Sequence, residues 1–150
     1  MTMHLPTPNP IASRLLLFFC RHHIPLLSKI CRLLLNCDIY CDMRREVLMP
    51  HPYGITIHSK ARIGQRVIIM QHVTIGARRR GINEAPVIED DVFIGAGARI
   101  LGNVRVGHNS IIGANAIITH DVPAGATVVG ANRIISVKND AEDQKPEGTP

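Results

Sequence analysis

Isoleucine or valine recurs at every sixth position through most of this chain. Ten successive steps are filled in this way, with one interruption: Ile57, Ile63, Ile69, Ile75, Ile88, Ile94, Ile100, Val106, Ile112 and Ile118. A second series, four residues after nine of these, holds only small or β-branched residues: Ala61, Val67, Val73, Val92, Ala98, Val104, Ser110, Ala116 and Val122. Neither a helix nor an alternating strand has a six-residue period. The period predicts a solenoid in which three short flat strands make each coil and the first series points inward.

The composition agrees with a narrow aliphatic interior. Hydrophobic residues make up 45% of the 150 residues, which is too many for a disordered chain. Aromatic residues make up only 3% and tryptophan is absent. Because single-stranded nucleic acids are held largely by stacking on aromatic side chains, a nucleic-acid partner is not expected.

The interruption of the period predicts a loop that leaves the solenoid. Ile75 and Ile88 are thirteen residues apart, which is one step plus seven inserted residues. We place this insertion loop at 77–87, and its Arg78, Arg79 and Arg80 make it basic. Two interpretations remain open, a solvated run of charge and a surface that attracts a phosphorylated ligand.

The composition along the chain predicts four segments. These are a flexible leader at 1–10, a helical segment at 11–36, the solenoid domain at 37–136 and a flexible tail at 137–150. Apolar residues spaced by three and four indicate helix in the second segment, and Pro25 divides it into two short helices. This segment is expected to cap the open end of the solenoid. Peripheral contact of 11–36 with an anionic membrane is the alternative.

The four cysteines all lie in the first third of the chain. No secretory signal or membrane-spanning run is evident, so a cytoplasmic location with reduced thiols is expected. Cys37, Cys41 and His51 could in principle begin a metal site, but no second ligand pair follows closely. We therefore expect no metal.

The segment from Cys37 to Val137 resembles the hexapeptide-repeat acyltransferases, and within them the serine O-acetyltransferase group and its polysaccharide-modifying relatives. The resemblance is carried by 51–57 (HPYGITI), 73–76 (VTIG), 94–102 (IGAGARILG), 112–116 (IGANA), 121–123 (DVP) and 129–133 (VGANR). It implies a left-handed parallel β-helix, a homotrimer and transfer of an acetyl group from acetyl-CoA. The implied acceptor is a hydroxyl of a small molecule or of a sugar or polysaccharide precursor.

The resemblance also implies a catalytic histidine. His51 matches the position at which serine acetyltransferases carry theirs, and a neutral imidazole suits a general base that works near pH 7. Asp38 matches the family's aspartate that orients this base, although the interval to the histidine is two residues shorter here. Asp42 and Glu46 are alternatives. The family uses no histidine at the position of His72, which we expect to be a surface neighbour of the cleft.

On the donor side, the resemblance implies that the pantetheine arm of CoA lies along backbone kept open by small residues. The matching positions are Gly76, Ala77, Ala96, Gly97 and Ala114. Arg133, Lys138 and the loop arginines are candidates for binding the CoA phosphates.

Two departures from the family concern the acceptor. Pro50 stands where serine acetyltransferases have an acidic residue, and Glu84-Ala85 stands where they have Arg-His. Because these family residues help to hold serine, we predict a non-serine hydroxyl as acceptor. Serine O-acetyltransferase is the alternative. A non-catalytic scaffold and a zinc carbonic anhydrase are further alternatives, the latter disfavoured because no two solenoid histidines share a column.

Overall fold

The computed structural model describes residues 11–21, 29–30, 33–39, 46–79 and 84–137. These ranges contain one bounded helix and thirteen short strands: α1 (Ile11–Arg21), β1 (Asp38–Ile39), β2 (Thr56–Ile57), β3 (Arg62–Ile63), β4 (Ile68–Ile69), β5 (Thr74–Gly76), β6 (Val87–Ile88), β7 (Phe93–Ile94), β8 (Arg99–Leu101), β9 (Arg105–Val106), β10 (Ile111–Ile112), β11 (Ile117–Ile118), β12 (Ala126–Val129) and β13 (Arg133–Val137). Most strands are two or three residues long, because a turn follows each inward-facing residue.

The strands form three sheets that the chain visits in rotation. The first face has the order β1-β2-β5-β8-β11, the second has β3-β6-β9, and the third has β4-β7-β10-β12-β13. Every pairing is parallel except that of β12 with β13. A chain that passes repeatedly across three parallel faces is the predicted three-faced solenoid.

The register shows how each coil is built. Ile57 pairs with Ile75, and Ile88 with Val106, which is 18 residues or three six-residue steps. Ile63 pairs with Ile88, 25 residues away, so the seven inserted residues lie outside the ladder. They belong to the connection between β5 and β6, of which 80–83 lie outside the described residues.

The interior is aliphatic, as the period predicts. All ten isoleucine and valine residues of the first series are at most 4% exposed. All nine residues of the second series are also buried, including Ser110, whose hydroxyl donates to the Gly107 carbonyl at 2.6 Å. The predicted inward direction of the first series is confirmed, and the second series is buried as well.

The last coil is shorter than the sequence period predicts. Val122 bridges to Val106, and Val128 pairs with Ile112, so both intervals are 16 residues. Val122 was assigned to the second series, and this assignment was wrong because it lies beside a residue of the first. β12 then turns back into β13 as an antiparallel hairpin that ends at Val137, a residue that the sequence had placed in the tail.

Helix α1 packs on the N-terminal end of the solenoid. Leu16 is fully buried in the common core, and the Ser13 hydroxyl donates to the carbonyl of Met49. These contacts agree with a capping role. Leu33 to Leu35 are also helical, whereas the predicted boundary at Pro25 and the leader lie outside the described residues. None of the helices that the structure describes has the length and apolarity needed to cross a bilayer.

Candidate active site

The corner between the third and first faces contains four of the predicted site residues, His51, Ala96, Gly97 and Ala114. In four successive coils this corner contains a residue with a left-handed backbone: Gly54 (φ 63°), His72 (φ 59°), Gly97 (φ 70°) and Asn115 (φ 55°). We call it the His51 corner, because His51 lies in its first turn. Backbone N–H groups of His72, Gly97 and Asn115 donate to the preceding coil at 2.8–2.9 Å. These bonds stack the four turns into one continuous edge.

His51 lies on the outside of this edge. Its side chain is exposed, whereas the following Pro52 is buried. The N–H of Tyr53 donates to the His51 carbonyl at 2.9 Å, which makes the turn tight. An imidazole held outward by a short turn is accessible to a substrate, as a general base must be.

Asp38 lies in the strand next to the His51 turn. It begins β1, its side chain is exposed, and its N–H donates to the Ile55 carbonyl at 2.8 Å. One residue earlier, the Cys37 thiol lies 3.1 Å from the carbonyl oxygen of Pro52. The structure therefore brings the backbone segments of Asp38 and His51 side by side, through the residues next to each of them.

The two alternative carboxylates have different positions. Asp42 lies outside the described residues. Glu46 is exposed, and its Oε2 atom lies 3.7 Å from the Nη1 atom of Arg66. Because Arg66 also binds Asp91, Glu46 is drawn toward the corner between the second and third faces, away from the His51 corner.

Gly76 is a predicted donor-side residue with open space where a side chain would stand. A Cβ atom added there would meet nothing within 4 Å. The Gly76 carbonyl accepts a hydrogen bond from the N–H of Gly102 at 2.9 Å, and Ala77 follows β5 at an intermediate exposure. Since no neighbour within the chain requires a glycine here, close approach of an external molecule is a physical reason for one.

Gly97 has a structural reason of its own. A Cβ atom there would lie 3.3 Å from Cγ of Asn115 and still closer to its Oδ1 atom, and the backbone is left-handed. Glycine is therefore required by the coil itself. The neighbouring Ala96 is partly exposed, its carbonyl accepts the Asn115 N–H at 2.8 Å, and Ala114 is exposed on the next coil.

The candidate phosphate-binding cations are spread over the surface. Arg133 is exposed at the start of β13 and pairs with Val129. In the insertion loop, Arg78 and Arg79 are exposed, and the Arg78 side chain covers Gly102. Arg80 and Lys138 lie outside the described residues.

A histidine–carboxylate pair that the sequence did not predict lies on the second face. Glu89 Oε2 accepts the backbone N–H of His108 at 2.9 Å and lies 3.3 Å from its Nδ1 atom. Arg105 binds the other carboxylate oxygen at 2.5 Å and, with the His108 bonds, holds the pKa of Glu89 below its usual range. The pair borders a groove of about 410 Å³. Because Arg105 and a backbone amide already engage this carboxylate, it is a weaker partner for a catalytic imidazole.

The described cysteine side chain is a structural one. Cys37 is a buried free thiol, and burial raises its pKa. Its Sγ atom also accepts the N–H of Ile55 at 3.4 Å. Among the residues that the structure describes, no group of three or more His, Cys, Asp or Glu side chains is placed to hold a metal ion.

The middle of the chain matches a known family of repeat-containing transferases. Residues 85–120 match the family described as bacterial transferase hexapeptide (six repeats). The chain thus carries the hexapeptide repeat of bacterial transferases in the same stretch that builds the middle coils. The resemblance to hexapeptide-repeat acyltransferases is confirmed.

Within that class, the chain is similar to serine acetyltransferases. It is 35% identical over 117 residues to the serine acetyltransferase of Bacillus licheniformis, covering 75% of this chain and 54% of the relative. It is 35% identical over 118 residues to that of Bacillus subtilis, covering 76% and 54%. The chain therefore spans about half the length of the curated relatives it matches.

Solved structures show the same likeness. The serine acetyltransferase of Neisseria gonorrhoeae superposes with a TM-score of 0.71 at 29% identity, over 91% of this chain and 56% of that one. The structure of the enzyme from the same organism in complex with serine gives a TM-score of 0.61 at 26% identity, over 83% and 55%. The resemblance to the serine acetyltransferase-like group is thereby confirmed.

Proposed function

We propose that this chain is an O-acetyltransferase that transfers the acetyl group of acetyl-CoA to the hydroxyl of serine, with His51 as general base. One observation carries the proposal. His51 is exposed at the first turn of the His51 corner, and Ala96 and Ala114 lie in later coils of the same corner. The identity to relatives named serine acetyltransferase supports both the reaction and the acceptor.

The reaction needs one base and a dry cleft. The His51 imidazole takes the hydroxyl proton while the alcohol oxygen attacks the thioester carbon. The C–O bond forms, the C–S bond breaks, and the CoA thiolate takes up the proton that His51 received. A positioned base contributes about 10²–10⁴ in rate. Holding the two reactants together supplies much of the remainder.

Asp38 is proposed to orient the imidazole. A carboxylate that accepts the imidazole N–H selects the tautomer and stabilises the charged imidazolium. The bond between Cys37 and Pro52 supports this role, because it holds the strand of Asp38 against the turn of His51.

The donor is proposed to lie along the His51 corner. Coils in a parallel ladder are about 4.8 Å apart, so the corner from Gly54 to Asn115 is about 14 Å long. The side chains of Ala96 and Ala114 protrude little from this edge, and the lack of a side chain at Gly76 leaves space on the adjoining face. We propose in addition that the solenoid is left-handed and that the protein is a homotrimer with its sites between neighbouring solenoids, as the likeness to the family suggests.

A hydroxyl other than that of serine is the second candidate acceptor. It is favoured by Pro50 and by the Glu84-Ala85 pair, which replace charged residues of the serine enzymes. Glu84 is exposed and Ala85 is partly buried. Because glutamate is an anion and alanine is uncharged, neither supplies a cation for the carboxylate of serine. The names of the relatives favour serine over this candidate, which the sequence alone had put first.

The test is release of the CoA thiol from acetyl-CoA, measured with serine and with a panel of sugar acceptors. His51→Ala should lower kcat by about 10²–10⁴ with either acceptor and leave the Kd for CoA nearly unchanged. His120→Ala is the matched control, because His120 is exposed and lies away from the His51 corner. A fully active His51→Ala variant would remove His51 from the mechanism.

The thiol-release assay and calorimetry with CoA together separate the remaining hypotheses. Turnover with sugars alone would favour the second acceptor. Absence of CoA binding by calorimetry would leave a non-catalytic scaffold. Asp38→Asn should lower kcat with little change in the KM for acetyl-CoA, and unchanged kcat would show that another group orients His51.

A further inference from the structure

The His51 corner repeats a pair of residues that pack between coils. Asn115 lies over Gly97, the corner residue of the coil before it. His72 lies in the same way over Gly54. In each pair a left-handed polar residue covers a left-handed glycine. Gly97 lies two coils away from His51 and Asn115 lies three coils away, whereas Gly54 and His72 lie in its own turn and the next.

The contacts of His72 lead directly to His51. Its N–H donates to the carbonyl of Tyr53 at 2.8 Å. A Cβ atom added to Gly54 would lie 3.0 Å from Cε1 of the His72 ring and still closer to Nδ1, so the ring rests on the glycine. Tyr53 in turn donates its N–H to the His51 carbonyl at 2.9 Å. The turn is therefore held by His72 at two of its residues.

The corner does not itself require an imidazole. Histidine and asparagine both enter the left-handed region more readily than most residues do, and Asn115 fills the equivalent place. The turn at 50–54 lies just before β2 and contains no strand residue. The Gly54 N–H donates to the Leu35 carbonyl at 3.0 Å, so the turn is held by Leu35 as well as by His72.

We propose that His72 is a positioning residue that holds the His51 turn in the conformation needed for acetyl transfer. This inference rests on the proposed function, in which His51 is the base. His72 acts through the turn, because its ring covers Gly54 and its backbone N–H binds the carbonyl of Tyr53. Its ring takes no proton from the acceptor.

Two variants of His72 separate covering from chemistry. His72→Ala removes the ring from Gly54, and kcat should fall about tenfold while the KM for acetyl-CoA stays within about twofold. His72→Asn copies the natural pair of Gly97 and Asn115, and it should restore kcat to within about threefold of the parent. Asn109→Ala is the matched control, because Asn109 is left-handed (φ 58°) at the corner between the second and third faces. It should lose stability without losing kcat.

A readout independent of activity completes the test. The ¹³Cε1 NMR signal of His51, assigned from its loss in His51→Ala, should shift or broaden in His72→Ala and return in His72→Asn. An unchanged His51 signal in a folded His72→Ala protein would overturn the proposal. Failure of His72→Asn to restore kcat would also overturn it, by showing that the imidazole itself is needed. If the signal responds as expected but His51→Ala is active, the positioning stands and only the proposed function fails.

Discussion

The thiol of Cys37 lies 3.1 Å from the carbonyl oxygen of Pro52. The two residues are 15 positions apart, and each is the direct neighbour of a proposed catalytic residue, Asp38 in one case and His51 in the other. A buried contact one residue from each side chain limits how far the two can move apart. Cys37 is thus a structural link between the two halves of the proposed catalytic pair.

This link predicts the effect of Cys37→Ala. The variant loses the contact with Pro52 and the acceptor for the N–H of Ile55, so the free energy of unfolding should fall by about 1–3 kcal/mol. Because the His51 turn loosens, kcat should fall more than the KM for acetyl-CoA rises. Urea denaturation and thiol-release kinetics check both parts. Cys37→Ser keeps a donor and should recover part of each loss, and equal behaviour of the two variants would show that the hydrogen bond is unimportant.

The open space at Gly76 predicts a variant that separates binding from folding. In Gly76→Val the new Cβ atom meets no neighbour within 4 Å, so the unfolding free energy should change little. If the pantetheine arm runs past Gly76, the Kd for CoA should rise at least about tenfold, which corresponds to about 1.4 kcal/mol. Calorimetry with CoA measures this.

Gly97→Ala is the contrasting variant. Its backbone is left-handed and Asn115 occupies the space of the new methyl group, so stability should fall by at least about 1 kcal/mol. An unchanged CoA affinity in Gly76→Val would place the arm elsewhere on the surface. Equal stability losses in both variants would contradict the distinction between the two glycines.

The aliphatic interior predicts the cost of a cavity. Ile94 is fully buried between Ile69 and Ile112, its partners in the neighbouring coils. Ile94→Ala should destabilise the protein by about 2–5 kcal/mol, and Ile94→Val by about 0.5–1.5 kcal/mol. Ile135→Ala is the control, because Ile135 is 54% exposed and should cost far less. Thermal and urea unfolding measure the order, and a cost for Ile135→Ala as large as that for Ile94→Ala would mean that β13 is covered by a partner.

Two ion pairs predict a loss of stability in acid. Arg66 binds both carboxylate oxygens of Asp91 at 2.6 Å, and this lowers the pKa of Asp91 in the folded state. The pKa of Glu89 is lowered chiefly by its bond to Arg105. Because unfolded carboxyl groups titrate at about 4, the unfolded state binds more protons than the folded state as the pH falls below about 5. The stabilisation is present above that range and is lost as the pH falls through the folded-state values.

Asp91→Asn tests this assignment. Asparagine keeps the shape of Asp91 and tolerates its left-handed backbone (φ 59°), so the variant removes mainly the charge. Its unfolding free energy should depend less steeply on pH between about 5 and 3 than that of the parent. Since the pair is partly exposed, the difference at pH 7 should stay below about 1 kcal/mol. An identical acid profile in the two proteins would show that Asp91 contributes nothing to it.

The sequence by itself determined the three-faced solenoid and its core. A six-residue spacing of isoleucine and valine can face one interior only if the chain turns after each short strand, and all ten of these residues are buried. The position of the insertion also follows from counting, because the displaced register between Ile63 and Ile88 equals the extra seven residues. Periodicity suffices here because side-chain direction in an extended strand is a local property.

Only the tertiary structure decided which residues meet at the corners. The contact of His72 with Gly54, the bond of Cys37 to Pro52 and the cluster of Glu89, Arg105 and His108 join residues 15 to 19 positions apart. The shortened last coil, which places Val122 beside Val106, likewise follows from turn geometry that a fixed period does not encode. The physical reason is that a period specifies which way a side chain faces, whereas a contact between coils depends on the left-handed turns and lengths of two corners at once.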